Sequence, residues 1–320
     1  MVTYVMEGVI TLLSSLSHGG ESRGTTQMLR REKVVQADGA IEELPVLSGN
    51  SIRGRLRDVG MAHMLRLLGY GDDGAGVSLA AYYFLMSGGS LGKGGSALNI
   101  DEARRWRELI PLVSLFGGAM GNQIMPGKLK VEKGLPICAE TAHLIPERFG
   151  LEQPPSIWEM VQVESYTRTD DEKSENLRGL IAPSVRGVLE DQSRAKRQSI
   201  AMDVDLDVVE DTGTAQQMRY HAETLAAGTR LFWGLTLDDV TDVEFEALAV
   251  ALAEYARTPY LGGKSSIGHG RFALEFDSWI KLDPRAPLAG AELDTPLGGR
   301  YIAHLRERRD EIRGLIDGFQ

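Results

Sequence analysis

The sequence predicts an α+β protein, and three stretches support this prediction. Residues 3–16 are apolar and β-branched with partial alternation, which is typical of a half-buried strand. Residues 48–69 place apolar side chains at helical spacing and therefore predict a helix. Residues 217–276 read as two strands, a helix and a final strand, and Thr241 with Glu244 forms a capping-box pattern at the start of that helix.

The remaining elements follow in chain order. Residues 32–47 predict a small hairpin that turns at 38–39, an Asp-Gly pair suited to positive φ. Residues 77–116 predict two short helices around a glycine-rich loop, whereas 140–198 hold prolines and charges without a regular period. A last helix is predicted over 301–316, with an apolar side formed by Tyr301, Leu305, Ile312 and Ile316.

The composition of the 320 residues argues against several classes of protein. No stretch approaches the roughly 18 consecutive apolar residues of a membrane span. Residues 1–16 lack a basic leader and a clear cleavage site, so we interpret them as a strand rather than a signal peptide. The single cysteine, Cys138, cannot form an internal disulfide or a cysteine-based zinc site, which favours a reducing cytoplasm.

The net charge of −10, taken over the whole chain, argues against a nucleic-acid binder. The charge is unevenly distributed, because residues 201–258 are strongly acidic whereas 173–197 are basic, as are short clusters at 30–33, 53–57 and 128–130. Binding depends on local potential, so these patches would suit a polyanion if folding brings them together. A solvated surface of mixed charge is the simpler interpretation.

The glycine-rich stretch "LGGKSSIGHGRF" at 261–272 looks at first like a phosphate-binding P-loop. A P-loop has a glycine five residues before the glycine of its Gly-Lys pair, but that position is Thr258 here. A helix precedes this loop and a strand follows it, so no helix N-terminus is available for a phosphate. The glycines instead allow the backbone to approach a ligand or another chain closely.

Four segments occur in an order that resembles a known family: "PVLSGNSIRGRLRD", "SLFGG", "AETLAAGTRLFWGLTL" and "YLGGKSSIGHGRFALEF". The series resembles the RAMP superfamily of CRISPR effector proteins, and is most similar to the type IV backbone subunit. The resemblance covers roughly residues 3–60 and 110–277. It implies one domain with a ferredoxin-like, RRM-type palm, a helical insert and a β-hairpin thumb. The palm would span about 1–69, 110–139 and 200–280, the insert about 70–109, the thumb-like excursion about 140–199 and a C-terminal helix about 298–317.

The resemblance also implies a function. A backbone subunit binds the crRNA guide, oligomerises along it as a helical filament, and presents it for pairing with a target, with DNA favoured over RNA. The implied partners are further copies of the chain, a large subunit, a small cap subunit and a guide-processing endonuclease, with a helicase as a further candidate. No cofactor and no membrane contact are expected.

Phosphate contacts would dominate the binding of a long RNA, and helix N-termini and basic side chains supply them. By this resemblance the candidate RNA-binding residues are Ser48, Asn50, Ser51, Arg53, Arg57, Arg30, Arg31, Lys128, Arg178, Arg186, Gly262, Gly263, Lys264, Ser265, Ser266 and His269. Ser48 and Asn50 are equally suited to helix capping alone, and His269 to a packed loop position.

The tip of the thumb is predicted in "LRGLIAPSVRGVL". In this stretch Arg178 and Arg186 flank apolar residues that include Leu180, Ile181 and Val185. Apolar side chains of this kind can wedge between bases. The alternative is a loop that is disordered in the free protein and orders on binding.

Catalysis is not expected. In relatives that cut their target an acidic residue precedes the first hairpin strand, but here that place holds Arg30 and Arg31, with Glu32 the nearest acid. The alternative function is a guide-processing ribonuclease that uses His18 or His63 as its acid–base group. A small-molecule phosphate enzyme built on the glycine loop matches no complete motif.

Overall fold

The computed structural model describes residues 2–71, 76–89, 100–121, 123–168, 218–276, 279–283, 286–293 and 298–319. The strands are β1 (Val2–Leu12), β2 (Gly19–Arg23), β3 (Thr26–Leu29), β4 (Arg31–Val35), β5 (Ile41–Pro45), β6 (Gly118–Met120), β7 (Gln123–Met125), β8 (Leu129–Val131), β9 (Leu135–Pro136), β10 (Val161–Arg168), β11 (Met218–Leu225), β12 (Arg230–Val240), β13 (Phe272–Phe276), β14 (Trp279–Asp283) and β15 (Ala286–Leu293). The helices are α1 (Gly49–Leu67), α2 (Leu79–Tyr82), α3 (Ile100–Leu109), α4 (Pro111–Phe116), α5 (Ile157–Met160), α6 (Asp242–Arg257), α7 (Gly299–Glu307) and α8 (Arg309–Asp317).

The main sheet has the strand order of a ferredoxin-like fold. Its central path is β15-β14-β1-β12-β8, with β13 also paired to β1 and β9 also paired to β12. All of these pairs are antiparallel. Along the chain the palm therefore runs β1, α1, β8–β9, β12, α6, β13, with the last strand beside the first, which is a βαββαβ unit. The predicted ferredoxin-like α+β class is confirmed.

The core lies between this sheet and the helices α1 and α6. Alternate residues of β1, including Met6, Ile10 and Leu12, are buried in the main apolar cluster. A side chain on Gly60 of α1 would begin 3.0 Å from the Ala251 side chain of α6, so a glycine here lets the two helices approach closely. On the opposite face of the sheet, Val9 joins a smaller cluster with Phe232, Ile137, Ile145 and Phe149.

Several local predictions from the sequence are confirmed. Gln36 N–H donates to Ala40 O at 2.7 Å across the β4–β5 turn, where Gly39 has φ +88°. Thr241 and Glu244 form both halves of the capping box of α6. Helix α1 ends at Leu67, and Gly69 follows with φ +83°.

The predicted C-terminal helix is two helices rather than one. The helix is interrupted at Arg308, between α7 and α8, where the backbone has φ −103° and ψ 14°. The predicted apolar side is buried at all four positions: Tyr301, Leu305, Ile312 and Ile316. Tyr70 O–H donates to Asp317 Oδ1 at 2.6 Å, which fastens the last helix to the residues that follow α1.

A second sheet stands beside the palm with the order β10-β11-β3-β2. Strands β10 and β11 lie on either side of residues 169–217 in the chain, and the thumb prediction with Arg178, Leu180, Ile181, Val185 and Arg186 lies outside the described residues. No helix in the described part of the chain is long and apolar enough to cross a membrane.

Candidate functional site

Residues 17 and 18 bring the predicted RNA-binding segments together. Ser17 forms a backbone bridge with Gly263, whose N–H donates to Ser17 O at 2.7 Å. The next residue, His18, accepts a hydrogen bond on Nε2 from the backbone N–H of Ser48 at 3.2 Å. Its own carbonyl accepts from Arg30 N–H at 2.8 Å. The glycine loop, the start of α1 and Arg30 therefore meet at a single junction, which we call the 17–18 junction.

The start of α1 is not closed by a side chain of its own. Ser48 occupies the N-cap position in an extended conformation, and it makes no side-chain capping hydrogen bond with the described residues. Asn50 lies inside the helix rather than at its cap, so the expectation that it caps α1 is wrong. The N–H groups of Ser51 and Ile52 donate to Ser48 O at 3.0 and 3.4 Å, so the first turn of the helix is closed by backbone rather than by a side chain.

Arg53 and Arg57 point together toward the SLFGG turn. Both donate to the carbonyl of Phe116 at the end of α4, with Arg57 at 2.6 Å, and Arg57 also reaches Gly117 O at 2.6 Å. Carbonyls at a helix C-terminus carry partial negative charge, so two cations are well placed there. Both guanidinium groups also lie over the Phe116 ring, at 6.0 and 5.4 Å from its centroid.

Arg57 differs from Arg53 in burial. Only 5% of Arg57 is exposed, and burial, with Arg53 adding to it, lowers the pKa of Arg57 to about 10. Burial also lowers the pKa of Arg53. The two arginines line a cavity of about 460 Å³, and its lining also includes Phe116, several glycines and the apolar residues Ile124 and Met125. These contacts give Arg57 a structural role in holding the SLFGG turn, and its phosphate contact stays a prediction.

Two further predicted cations are already paired. Arg31 Nη2 donates to both carboxylate oxygens of Glu223 at 2.9 Å, and the two side chains are only 19% and 10% exposed. Lys128 Nζ lies 2.9 Å from Glu244 Oε2, the carboxylate of the α6 capping box. Both pairs join residues that are far apart in the chain, so these cations are neutralised within the protein. Arg30 remains more accessible, with 52% of its side chain exposed and Glu32 4.0 Å away.

The glycine loop is shaped by close approach to the end of β1. A side chain on Gly262, at φ +68°, would begin 2.4 Å from Ser17 O, so only glycine fits there. Lys264 adopts φ 60° although it is not a glycine, and its Nζ lies 4.5 Å from the centre of the Tyr166 ring. Ser265 and Ser266 follow in an exposed single turn of 3₁₀-helix.

His269 is a packed residue, which was the alternative interpretation of this position. It is 4% exposed, with Nδ1 3.0 Å from Ser15 Oγ and Nε2 2.6 Å from the Tyr166 hydroxyl. Glu164 Oε2 is 3.6 Å from Nε2. Both ring nitrogens are engaged inside the protein, which favours the packed interpretation, and the phosphate contact of His269 stays a prediction.

The two histidines of the alternative hypothesis are also engaged. Burial, together with the nearby Arg30 guanidinium, lowers the pKa of His18, which favours the neutral ring that accepts from Ser48. His63 lies 3.5 Å from Glu254 of α6, and it stands about 20 Å further along α1 than the helix start. In the described part of the chain no group of three or more histidine, cysteine or acidic side chains could hold a metal ion.

Sequence reasoning missed Tyr166, Tyr220 and Gln27, which line a groove next to Lys264. The two tyrosines belong to strands that flank the irregular excursion, so no motif marks them. The sequence offers only the alternation of side chains in "VQVESYTR" and "MRYHAETL", which predicts two strands but not a binding site.

No protein-family model and no curated protein matches the chain. Among solved structures the fold is similar to a chain described as "Type IV-B CRISPR Complex", with a TM-score of 0.55 and 26% sequence identity. The similarity covers 93% of this chain and 96% of that chain. It supports a CRISPR effector subunit. The resemblance read from four sequence segments is thereby confirmed at the level of a CRISPR effector subunit, and such a subunit assembles with others in a complex.

Proposed function

We propose that the chain is the guide-RNA-binding backbone subunit of a type IV CRISPR effector complex. The observation that carries the proposal is the similarity to a type IV-B complex chain over nearly the whole of both chains. Copies of the subunit would oligomerise as a helical filament along the crRNA and present the guide to a target, DNA in preference to RNA. The other partners would be a large subunit, a small cap subunit, a guide-processing endonuclease and, as a further candidate, a helicase.

The 17–18 junction supports RNA binding in this role. The junction brings together three features: the N-terminus of α1, which has no side-chain cap, the exposed Arg30, and the glycine loop that carries Lys264. Backbone N–H groups and cations of this kind bind phosphates without reading the base. A subunit that must accept any guide sequence needs that property.

The absence of catalysis is part of the proposal. The His18 ring accepts from a backbone amide at the helix start, and His63 is held by a glutamate on the neighbouring helix. Glu32, the acid nearest to the place where cutting relatives hold theirs, contacts Lys133 and Arg30. Each group therefore has a structural role in the protein.

The test is to express the chain with a repeat–spacer RNA and to separate the product by size exclusion. The measurements are the 260/280 nm absorbance ratio across the column and a denaturing gel of each peak. We expect an early, RNA-rich peak with RNA of defined length. An RNA-free monomer peak would overturn the proposal.

Two matched variants test whether the RNA binds at the 17–18 junction. An Arg30→Glu, Lys264→Gly double variant should lose most of the RNA-rich peak, whereas Arg104→Ala, which changes an exposed arginine on α3, should keep it. Cleavage of a repeat hairpin in the absence of metal, abolished by His18→Ala, would instead establish the ribonuclease alternative.

A further inference from the structure

A second polar groove lies on one face of the β10-β11-β3-β2 sheet, beside the glycine loop. Its volume is about 550 Å³, and its lining includes Ser22, Gln27, Tyr166, Tyr220 and Lys264. These residues are far apart in the chain, and the sheet and the glycine loop bring them together. The groove is separate from the arginine-lined cavity at the SLFGG turn.

The strand register fixes which side chains share this face. Tyr166 stands directly opposite Tyr220 in the β10–β11 pair. Gln27 is paired with Ala222, two residues beyond Tyr220, and Ser22 is paired with Gln27. Side chains two apart in a strand, and those directly opposite each other, point to the same side of a sheet. The two tyrosine rings, the Gln27 amide and the Ser22 hydroxyl therefore lie on the same face of the sheet.

The two tyrosines have different surroundings. Tyr166 is fixed, because its hydroxyl lies 2.6 Å from His269 Nε2 and 3.2 Å from Glu164 Oε2, and the Lys264 ammonium group covers its ring. Tyr220 is 40% exposed. Tyr166 thus positions the lysine, and Tyr220 lines the groove beside it.

The backbone at Lys264 indicates that its side chain is used. A lysine at φ 60° occupies a region that glycine adopts with less strain, and such outliers cluster at binding sites. The neighbouring positions 262, 263, 268 and 270 are all glycine, so this loop readily holds glycine where the backbone needs it. The side chain at 264 is the exception, and it extends to the edge of the groove.

We propose that this groove binds one nucleotide of the single-stranded guide, an inference that rests on the proposed function. The base stacks on Tyr220, the Gln27 amide and the Ser22 hydroxyl meet its edge, and Lys264 contacts the adjacent phosphate. Aromatic rings stack bases of any sequence, and a lysine supplies the phosphate contact. The Glu164 carboxylate, on the same strand, accepts hydrogen bonds from the Tyr166 hydroxyl at 3.2 Å and from Thr224 Oγ1 at 2.9 Å, so it is engaged within the protein.

The test uses the purified chain and a fluorescently labelled oligouridylate of twelve nucleotides, with dissociation constants measured at several salt concentrations. Tyr220→Ala should weaken binding roughly 10-fold, and Tyr220→Phe, which keeps the ring, should bind like the unchanged protein. Lys264→Gly relaxes the backbone and removes only the side chain, so it should weaken binding and reduce the salt dependence by about one phosphate contact. Circular dichroism checks that each variant is folded.

Photocrosslinking with 4-thiouridine in the same oligonucleotide locates the base, and we expect the crosslinked peptide to contain Tyr220. If the unchanged protein binds RNA but the Tyr220 and Lys264 variants bind equally well and the crosslink lies elsewhere, the groove inference is overturned while the proposed function stands. If the unchanged protein binds no RNA, both fail. Loss of a partner protein from the Tyr220→Ala variant, with RNA affinity intact, would assign the groove to protein and also overturn the inference.

Discussion

Replacing Arg57 with methionine tests whether this residue stabilises the fold or binds RNA directly. Methionine fills much of the same volume but cannot donate to Phe116 O and Gly117 O, both 2.6 Å from the guanidinium in the native protein. Hydrogen bonds from a charged donor contribute about 1.5–3 kcal/mol each, so losing two could cost about 3–6 kcal/mol. Two effects reduce that figure: Arg53 still reaches Phe116 O, and a buried cation is no longer desolvated.

We therefore expect Arg57→Met to lower the free energy of unfolding by about 2–4 kcal/mol, most of it from the unpaired Gly117 carbonyl. For a chain of this size that corresponds to a fall in Tm of roughly 3–6 °C, measured on RNA-free protein by circular dichroism. Arg53→Met is the matched control, because Arg53 is more exposed and bonds only a carbonyl that Arg57 also serves, so its Tm should fall less. An unchanged Tm for Arg57→Met, together with lost RNA binding, would refute the structural role.

Two further predictions concern the 17–18 junction. Gly262→Ala should lower Tm more than Gly268→Ala does: both residues have positive φ and incur about 1–2 kcal/mol of backbone strain, but only at 262 would the new Cβ meet a backbone atom, Ser17 O at 2.4 Å. Equal falls in Tm would show that the loop does not approach Ser17 this closely. The pKa of His18 is lowered in the folded protein, so the unfolded chain binds a proton at this residue more readily. The stability that the neutral His18 contributes is therefore fully present above the ordinary histidine pKa near 6.5, and it is lost as the pH falls below that value. Tm measured between pH 7 and pH 5 should therefore decline less in His18→Gln, and parallel profiles would contradict the assignment.

Local pattern was sufficient for the elements that depend on neighbouring residues. The β4–β5 turn at 38–39, the capping box of α6 and the end of α1 before Gly69 all depend on contacts within a few positions in the chain. The order strand, helix, strand, strand, helix, strand was also readable, since each element carries its own period. The break at Arg308 was not, because the apolar side runs unbroken across both helices.

The sequence by itself determined the α+β class, the order of the palm elements and the likeness to CRISPR effector proteins, because these follow from short-range periodicity and motif order. Only the tertiary structure decided which predicted RNA contacts are accessible. Arg31 pairs with Glu223, Lys128 with Glu244 and Arg57 with the end of α4, over separations of 59 to 192 residues. The groove lined by Tyr166 and Tyr220 likewise forms from residues that are far apart in the chain. Such pairings depend on strand register and helix packing, and a cation that the sequence shows as free is neutralised once the fold places a carboxylate or carbonyl beside it.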